Sequence, residues 1–131
     1  MTWGKKSGKL MVLDNAYPDG KPIERDYIIH VIIKEFTCLC PEKPDQPDYA
    51  VFDIYYTPDK YILELKSLKE YFVSYRDVQI FHEPATNRIL TDLTDACKPK
   101  YMKIIGHWNI RGGVKTVVEV EYNANHVESL E

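Results

Sequence analysis

Cys40 stands directly after a strand-like run, at the mouth of the segment Cys38-Leu39-Cys40-Pro41-Glu42-Lys43-Pro44-Asp45-Gln46-Pro47-Asp48. Three prolines make this segment a loop, since proline can neither continue a helix nor join a central ladder. Loops on a rigid scaffold are common seats of function. A cysteine acts as a nucleophile through its thiolate, which needs a nearby cation or dipole. Asp48 closes the loop and could hand on or accept a proton, and Asp45 is a rival for that role. The same residues also read blandly, as a small buried hydrophobe and a turn carboxylate. Cys38 beside Cys40 invites a metal reading. Structural zinc sites usually pair two Cys-x-x-Cys-like elements or add His pairs, however, and His30, His82, His107 and His126 are scattered. No metal is expected.

Two further groups could bind a ligand. Glu64-Leu65-Lys66-Ser67-Leu68-Lys69 crosses from a short strand into a helix. Backbone N–H groups at a helix start attract anions, and Lys66 and Lys69 would add to that pull, unless this is simply a solvated first turn. His82-Glu83 precedes Pro84 at the expected start of a second helix. A carboxylate there can accept from a ring N–H and an exocyclic amine together, as on a guanine-like edge; the bland reading is that it complements the helix dipole. Gly4-Lys5-Lys6-Ser7-Gly8-Lys9 resembles a phosphate loop only in composition, because its spacing is wrong for one.

These residues need elements to hold them. Residues 1–25 are rich in Lys, Gly, Asp and Pro and read as a flexible arm. Tyr27 to Phe36 and Tyr49 to Tyr56 read as strands, the second with Ala50, Phe52, Ile54 and Tyr56 on one face. Tyr61 to Leu65 is a short third strand. Ser67 followed by Glu70 has the form of a capping box, with Leu68, Tyr71, Phe72 and Tyr75 recurring at helical spacing. A second helix starts near Pro84, carries Ile89, Leu93 and Cys97, and stops before Pro99. Met102 to Ile110 and Val114 to Glu121 are the last strands, joined at Arg111-Gly112-Gly113. The last strand puts Val114, Thr116, Val118 and Val120 on one face and mostly charges on the other. Residues 123–131 read as a polar tail. The order predicts an α+β domain over 26–122, an antiparallel sheet with two helices on one face.

Composition narrows the function. The 131 residues suit one domain. A formal charge of -3 with no basic stretch argues against backbone-driven nucleic-acid binding. No apolar run approaches the roughly 20 residues that span a bilayer, and the start has no signal-peptide character. Three cysteines, an odd count, suit a reducing compartment. The expected location is the cytoplasm.

Taken together, these residues resemble the QueF family of nitrile reductases, of the shorter single-module type. The motifs are Leu39-Cys40-Pro41 with Gln46-Pro47-Asp48, Glu64-Leu65-Lys66-Ser67-Leu68-Lys69-Glu70-Tyr71-Phe72, Phe81-His82-Glu83, and Arg111-Gly112-Gly113. They occur in order from about Phe36 to Tyr122. The resemblance implies a tunnelling fold (T-fold), in which subunits join their sheets into a ring, with two stacked pentamers expected. It implies reduction of 7-cyano-7-deazaguanine to its aminomethyl product by two NADPH, in queuosine biosynthesis. Cys40 would form a thioimide and Asp48 would protonate the nitrogen. Leu63, Glu64, Leu65, His82 and Glu83 would bind the base. Lys66, Ser67, Lys69, Arg111 and Gly112 would hold NADPH, since no Rossmann fingerprint is present. The chain departs from the family pattern at Glu70, at Cys38 and in a loop one residue longer. Rival readings are a QueF-like amidinotransferase acting on the same base in tRNA, a pterin enzyme of the same fold, and a noncatalytic assembly module.

Overall fold

The computed structural model describes residues 9–125. Its elements run β1 (Val12–Asp14), β2 (Ile29–Leu39), β3 (Pro47–Thr57), β4 (Tyr61–Leu63), α1 (Leu65–Val73), α2 (His82–Cys97), β5 (Tyr101–Trp108) and β6 (Val117–Asn123). Four strands form an antiparallel sheet in the order β2-β3-β5-β6, and β1 pairs antiparallel with β4 beside it. This is the expected α+β class with two helices. Among the described residues no helix is long and apolar enough to cross a membrane.

One face of the sheet makes the core. Ala50, Phe52, Ile54 and Tyr56 of β3 are buried, as their alternation predicts, with Met102, Ile104 and Trp108 of β5 beside them. The helices cover that face. α1 contributes Leu68, Tyr71 and Phe72, Tyr75 follows just beyond it, and α2 contributes Ile89, Leu93 and Cys97. Aromatic rings lock the centre edge to face: Phe36 meets Phe52 at 4.9 Å and Trp108 at 5.6 Å. The other face stays open. There Asp53 accepts from His30 (2.9 Å) and His107 (3.1 Å), and these bonds, His30 first, hold its carboxyl below the usual range.

A β-bulge in β2 changes which residues face the helices. Ile33 pairs with Phe52, yet Phe36 pairs with Ala50, so β2 spends one more residue than β3 over this stretch. Ahead of the bulge the odd-numbered Ile29, Val31 and Ile33 pack on the core; behind it Phe36 and Cys38 do. Cys40, two residues on, therefore lies on the helix side of the sheet.

The structure differs from the sequence reading in four places. Residues 12–14, within the expected arm, form β1, and Asn15 is buried with its amide donating to the Asp59 carbonyl. A three-residue strand is too short to leave a period-two signal. Residues 1–8 of that arm, with most of the glycine-lysine fragment, and 126–131 of the expected tail lie outside the described residues; Asn123 ends β6. The third difference is Val114, expected on the inner face of the last strand. It is 65% exposed, because β6 begins only at Val117 and Val114 belongs to the turn.

The fourth concerns the start of α1. The helix begins at Leu65 with Glu64 as its cap, so Ser67 lies inside the first turn and no Ser67–Glu70 capping box forms. The Glu64 carboxylate accepts from the N–H groups of Lys66 (2.9 Å) and Ser67 (2.8 Å). The Ser67 hydroxyl donates back to the Glu64 carbonyl and accepts from Met11 N–H. Glu64 won because a longer carboxylate one turn earlier satisfies two free donors at once. Those two backbone bonds, that to Ser67 first, hold its carboxyl below its ordinary value of 4.5. The stabilisation is therefore complete above that value and fades as pH falls through the lowered one. Glu64→Ala should lower the melting temperature by about a few degrees at pH 7. The gap to the parent should close on acidification below about pH 4, read by thermal denaturation across pH.

Candidate active site

Three chain segments meet around Asp48. The first is the end of β2 and the start of β3, where Cys38 pairs with Asp48 and Leu39 with Pro47. The second is the stretch after α1. Leu39 N–H donates to Val78 carbonyl (2.9 Å) and Ile80 N–H to Leu39 carbonyl (3.1 Å), a short parallel bridge that brings Phe81 and His82 beside Cys40. The third is the hairpin between β5 and β6. Arg111 and Val114 exchange backbone bonds of 2.9 Å across Gly112 and Gly113. Both glycines have positive φ, 56° and 80°, as a two-residue hairpin turn of this twist requires.

The side chains converge on a buried carboxylate. Asp48 is 3% exposed. One oxygen lies 3.1 Å from Arg111 Nε and the other 3.3 Å from His82 Nε2. Arg111 also donates through Nη2 to the Pro47 carbonyl. A buried carboxylate needs such partners, because an unpaired one is costly. The His82 ring stacks on Trp108, with centroids 4.2 Å apart and planes 8° from parallel.

A pocket of about 590 Å³ opens over this cluster, lined by Cys40, Asp48, His82, Glu83, Arg111 and Gly112, among others. Lys43 and Phe81 stand at its walls, while Asp45 does not line it. Cys40 is the half-buried sulfur. Cys38 and Cys97 are fully buried, and burial above all pushes each thiol up to about 12. Reaction at those two sulfurs is suppressed on both counts, leaving Cys40 as the accessible thiol.

The structure thus gathers six of the predicted residues: Cys40, Asp48, His82, Glu83, Arg111 and Gly112. The other six, Leu63, Glu64, Leu65, Lys66, Ser67 and Lys69, are not among them. Leu63 is buried and its N–H donates to the Tyr56 hydroxyl (3.0 Å) at the far end of β3. Asp48 and Tyr56 are eight residues apart on one strand, about 26 Å at strand spacing. Leu65 and Lys66 are exposed at the start of α1, Lys69 is exposed further along it beside Ile32–Glu35 of β2, and Ser67 and Glu64 are occupied in the helix cap. Trp108 and Thr86 were missed by sequence reasoning. Both read as ordinary core positions, and only the fold brings them to His82. Among the described residues no three His, Cys, Asp or Glu side chains are grouped to hold a metal ion.

Comparison with known proteins places this arrangement. The NADPH-dependent 7-cyano-7-deazaguanine reductase of Halorhodospira halophila is 55% identical over 100 residues, covering 76% of this chain and 84% of that protein. The reductase of the same name from Chlorobaculum tepidum is 48% identical over 112 residues, covering 86% and 91%. The crystal structure of the archaeosine synthase QueF-Like in the apo form superposes with a TM-score of 0.68. It covers 74% of this chain and 94% of that one, at 23% identity, a likeness of fold alone. The family described as QueF-like protein matches residues 47–127. With most of its length matched and such identity to full-length relatives, the chain belongs to the QueF-like family.

Proposed function

We propose that this chain is an enzyme that reduces 7-cyano-7-deazaguanine to its aminomethyl product with NADPH, through a thioimide on Cys40. The observation that carries the reading is the pocket in which the one accessible thiol, Cys40, opens beside the buried Asp48. Relatives named for this reaction are about half identical to the chain over most of its length.

The residues suit the steps. A nitrile accepts hydride poorly, and a thiolate adduct makes its carbon more electrophilic. Cys40 Sγ bonds to the nitrile carbon while one π bond of C≡N breaks toward nitrogen. The Asp48 carboxylate would take the proton of the Cys40 thiol and pass it to that nitrogen. Breaking the carbon–sulfur bond later returns the Cys40 thiolate and leaves an imine for the second reduction. Glu83 stands exposed at the pocket wall, where its carboxylate can accept from the ring N–H and exocyclic amine of a guanine-type base. His82 completes that wall.

NADPH would supply the hydride for both reductions. Its phosphates suit exposed cations, which this chain offers as Arg111 at the pocket and as Lys66 and Lys69 on the first turns of α1. The start of α1 lies toward the other end of β3 from the pocket, and neither lysine lines it. We therefore assign Leu63, Glu64, Leu65, Lys66, Ser67 and Lys69 to the site of a neighbouring copy in a T-fold ring. The edges of the sheet favour such pairing: β2 and β6 end it, with Ile32 and Val117 about half exposed. Two stacked pentamers are the expected assembly and the cytoplasm the expected location. Oxidation of NADPH on adding the nitrile separates this reading from amidine transfer, which consumes none.

Three outcomes test it. Intact-mass spectrometry with the nitrile should show one adduct that Cys40→Ala abolishes and that Cys38→Ser and Cys97→Ser keep; an adduct persisting in Cys40→Ala would refute the nucleophile. Asp48→Asn should still form a complex with the base yet lose about 10² to 10⁴-fold in turnover, measured from absorbance at the nicotinamide band. A larger loss in Asp45→Asn would transfer the role. In analytical ultracentrifugation the active species should sediment as a large oligomer, and full activity in a particle near the 15.3 kDa of one chain would end the shared-site assignment.

A further inference from the structure

Trp108 is the largest fully buried side chain of the core, yet one face of its indole is given to His82. Two contacts fix the ring. Its Nε1–H donates to Thr86 Oγ1 (3.3 Å), and the Thr86 hydroxyl in turn donates to the His82 carbonyl (2.8 Å). Residue 106 provides the room. A Cβ on Gly106 would sit 2.9 Å from both Trp108 Nε1 and Phe52 Cε1, closer than packed atoms allow, and 3.2 Å from Thr86 Oγ1, a tight contact. Trp108 therefore holds His82 twice, by its ring face and, through Thr86, by its backbone. Asp48 holds the same imidazole at Nε2, 3.3 Å away.

The stack fixes the plane of the ring, and the Asp48 carboxylate 3.3 Å from Nε2 restrains its rotation. Together they confine the imidazole at the wall of the pocket. We propose that Trp108, with Thr86 and the space at Gly106, is a positioning residue for His82 and sets the geometry in which His82 and Asp48 meet the substrate. The proposal rests on the reading of this pocket as the nitrile site. The indole is fully buried and does not line this pocket, so it acts through the imidazole.

The test is steady-state kinetics of the full chain with 7-cyano-7-deazaguanine and NADPH, alongside a melting temperature for each variant. Trp108→Phe keeps an aromatic face for His82 and should stay within about tenfold of the parent in kcat, whereas Trp108→Leu removes the face and should lose about a hundredfold, the scale of a misplacement of roughly 1 Å. KM for NADPH should not move in either. A merely structural role would make the losses follow the melting temperature and spare no parameter. A folded Trp108→Leu as active as Trp108→Phe overturns the proposal.

A second measurement holds even if Trp108→Leu does not fold. In Trp3→Phe, Trp108 is the only indole left in the chain. Adding the nitrile without NADPH should change its emission, and His82→Ala should abolish that change. Constant emission while mass spectrometry shows the Cys40 adduct overturns the positioning role alone. A parent protein that forms no adduct and oxidises no NADPH overturns the reading of the pocket as well.

Discussion

A carboxylate almost wholly removed from water organises this protein's candidate site. Asp48 can be buried only because Arg111 and His82 each take one of its oxygens. Those partners come from a hairpin turn and a helix start far apart in sequence, so satisfying one charge draws three segments to a point. The accessible thiol lies in the loop that leads into the same strand, and the backbone bridge between Leu39 and residues 78–80 holds that loop against the helix start. The pocket is thus a by-product of charge satisfaction. Its walls are the groups that Asp48 needs in order to be where it is.

Much of this was legible in the residues. The Pro-rich loop, the double glycine after Arg111 and Pro84 in the first turn of α2 each announce a local backbone state, and each stands where expected. Alternation along β3 and the spacing of Leu68, Tyr71 and Phe72 named the core because burial is a one-residue property with a fixed period. What stayed hidden needs the third dimension. Glu64 and Ser67 competed for one helix end, and only the chain path could decide between them. Val114 fits a strand pattern but falls in a turn set by its neighbours. Trp108 looks like any core aromatic until Gly106 and Thr86 are seen to turn it toward His82.

The two sets of candidate residues also differ in kind. Those around Asp48 are held by tertiary contacts, so their relative positions are fixed within one chain. Those from Leu63 to Lys69 are organised by a helix start, with Glu64 and Ser67 spent on backbone donors and Lys66 and Lys69 left in solvent. The pocket is pre-formed at one end of β3, while the exposed start of α1 lies toward the other. The Asp48 cluster takes its partners from α2 and the β5–β6 hairpin and none from α1.

The bulge in β2 has a bearing on how this sequence can vary. A strand assigns its residues to two faces in strict alternation, and the extra residue at Lys34 and Glu35 resets that alternation just before Cys40. From Phe36 onward the count to the sulfur is locked: one residue gained or lost would carry Cys40 across the sheet to the face of Asp53, away from His82. Two gained or lost would keep its side but shift the sulfur about 6.6 Å along the strand, away from the pairing that sets it beside Asp48. A change of length is therefore borne more easily ahead of the bulge, which can take it up, than between Phe36 and Cys40.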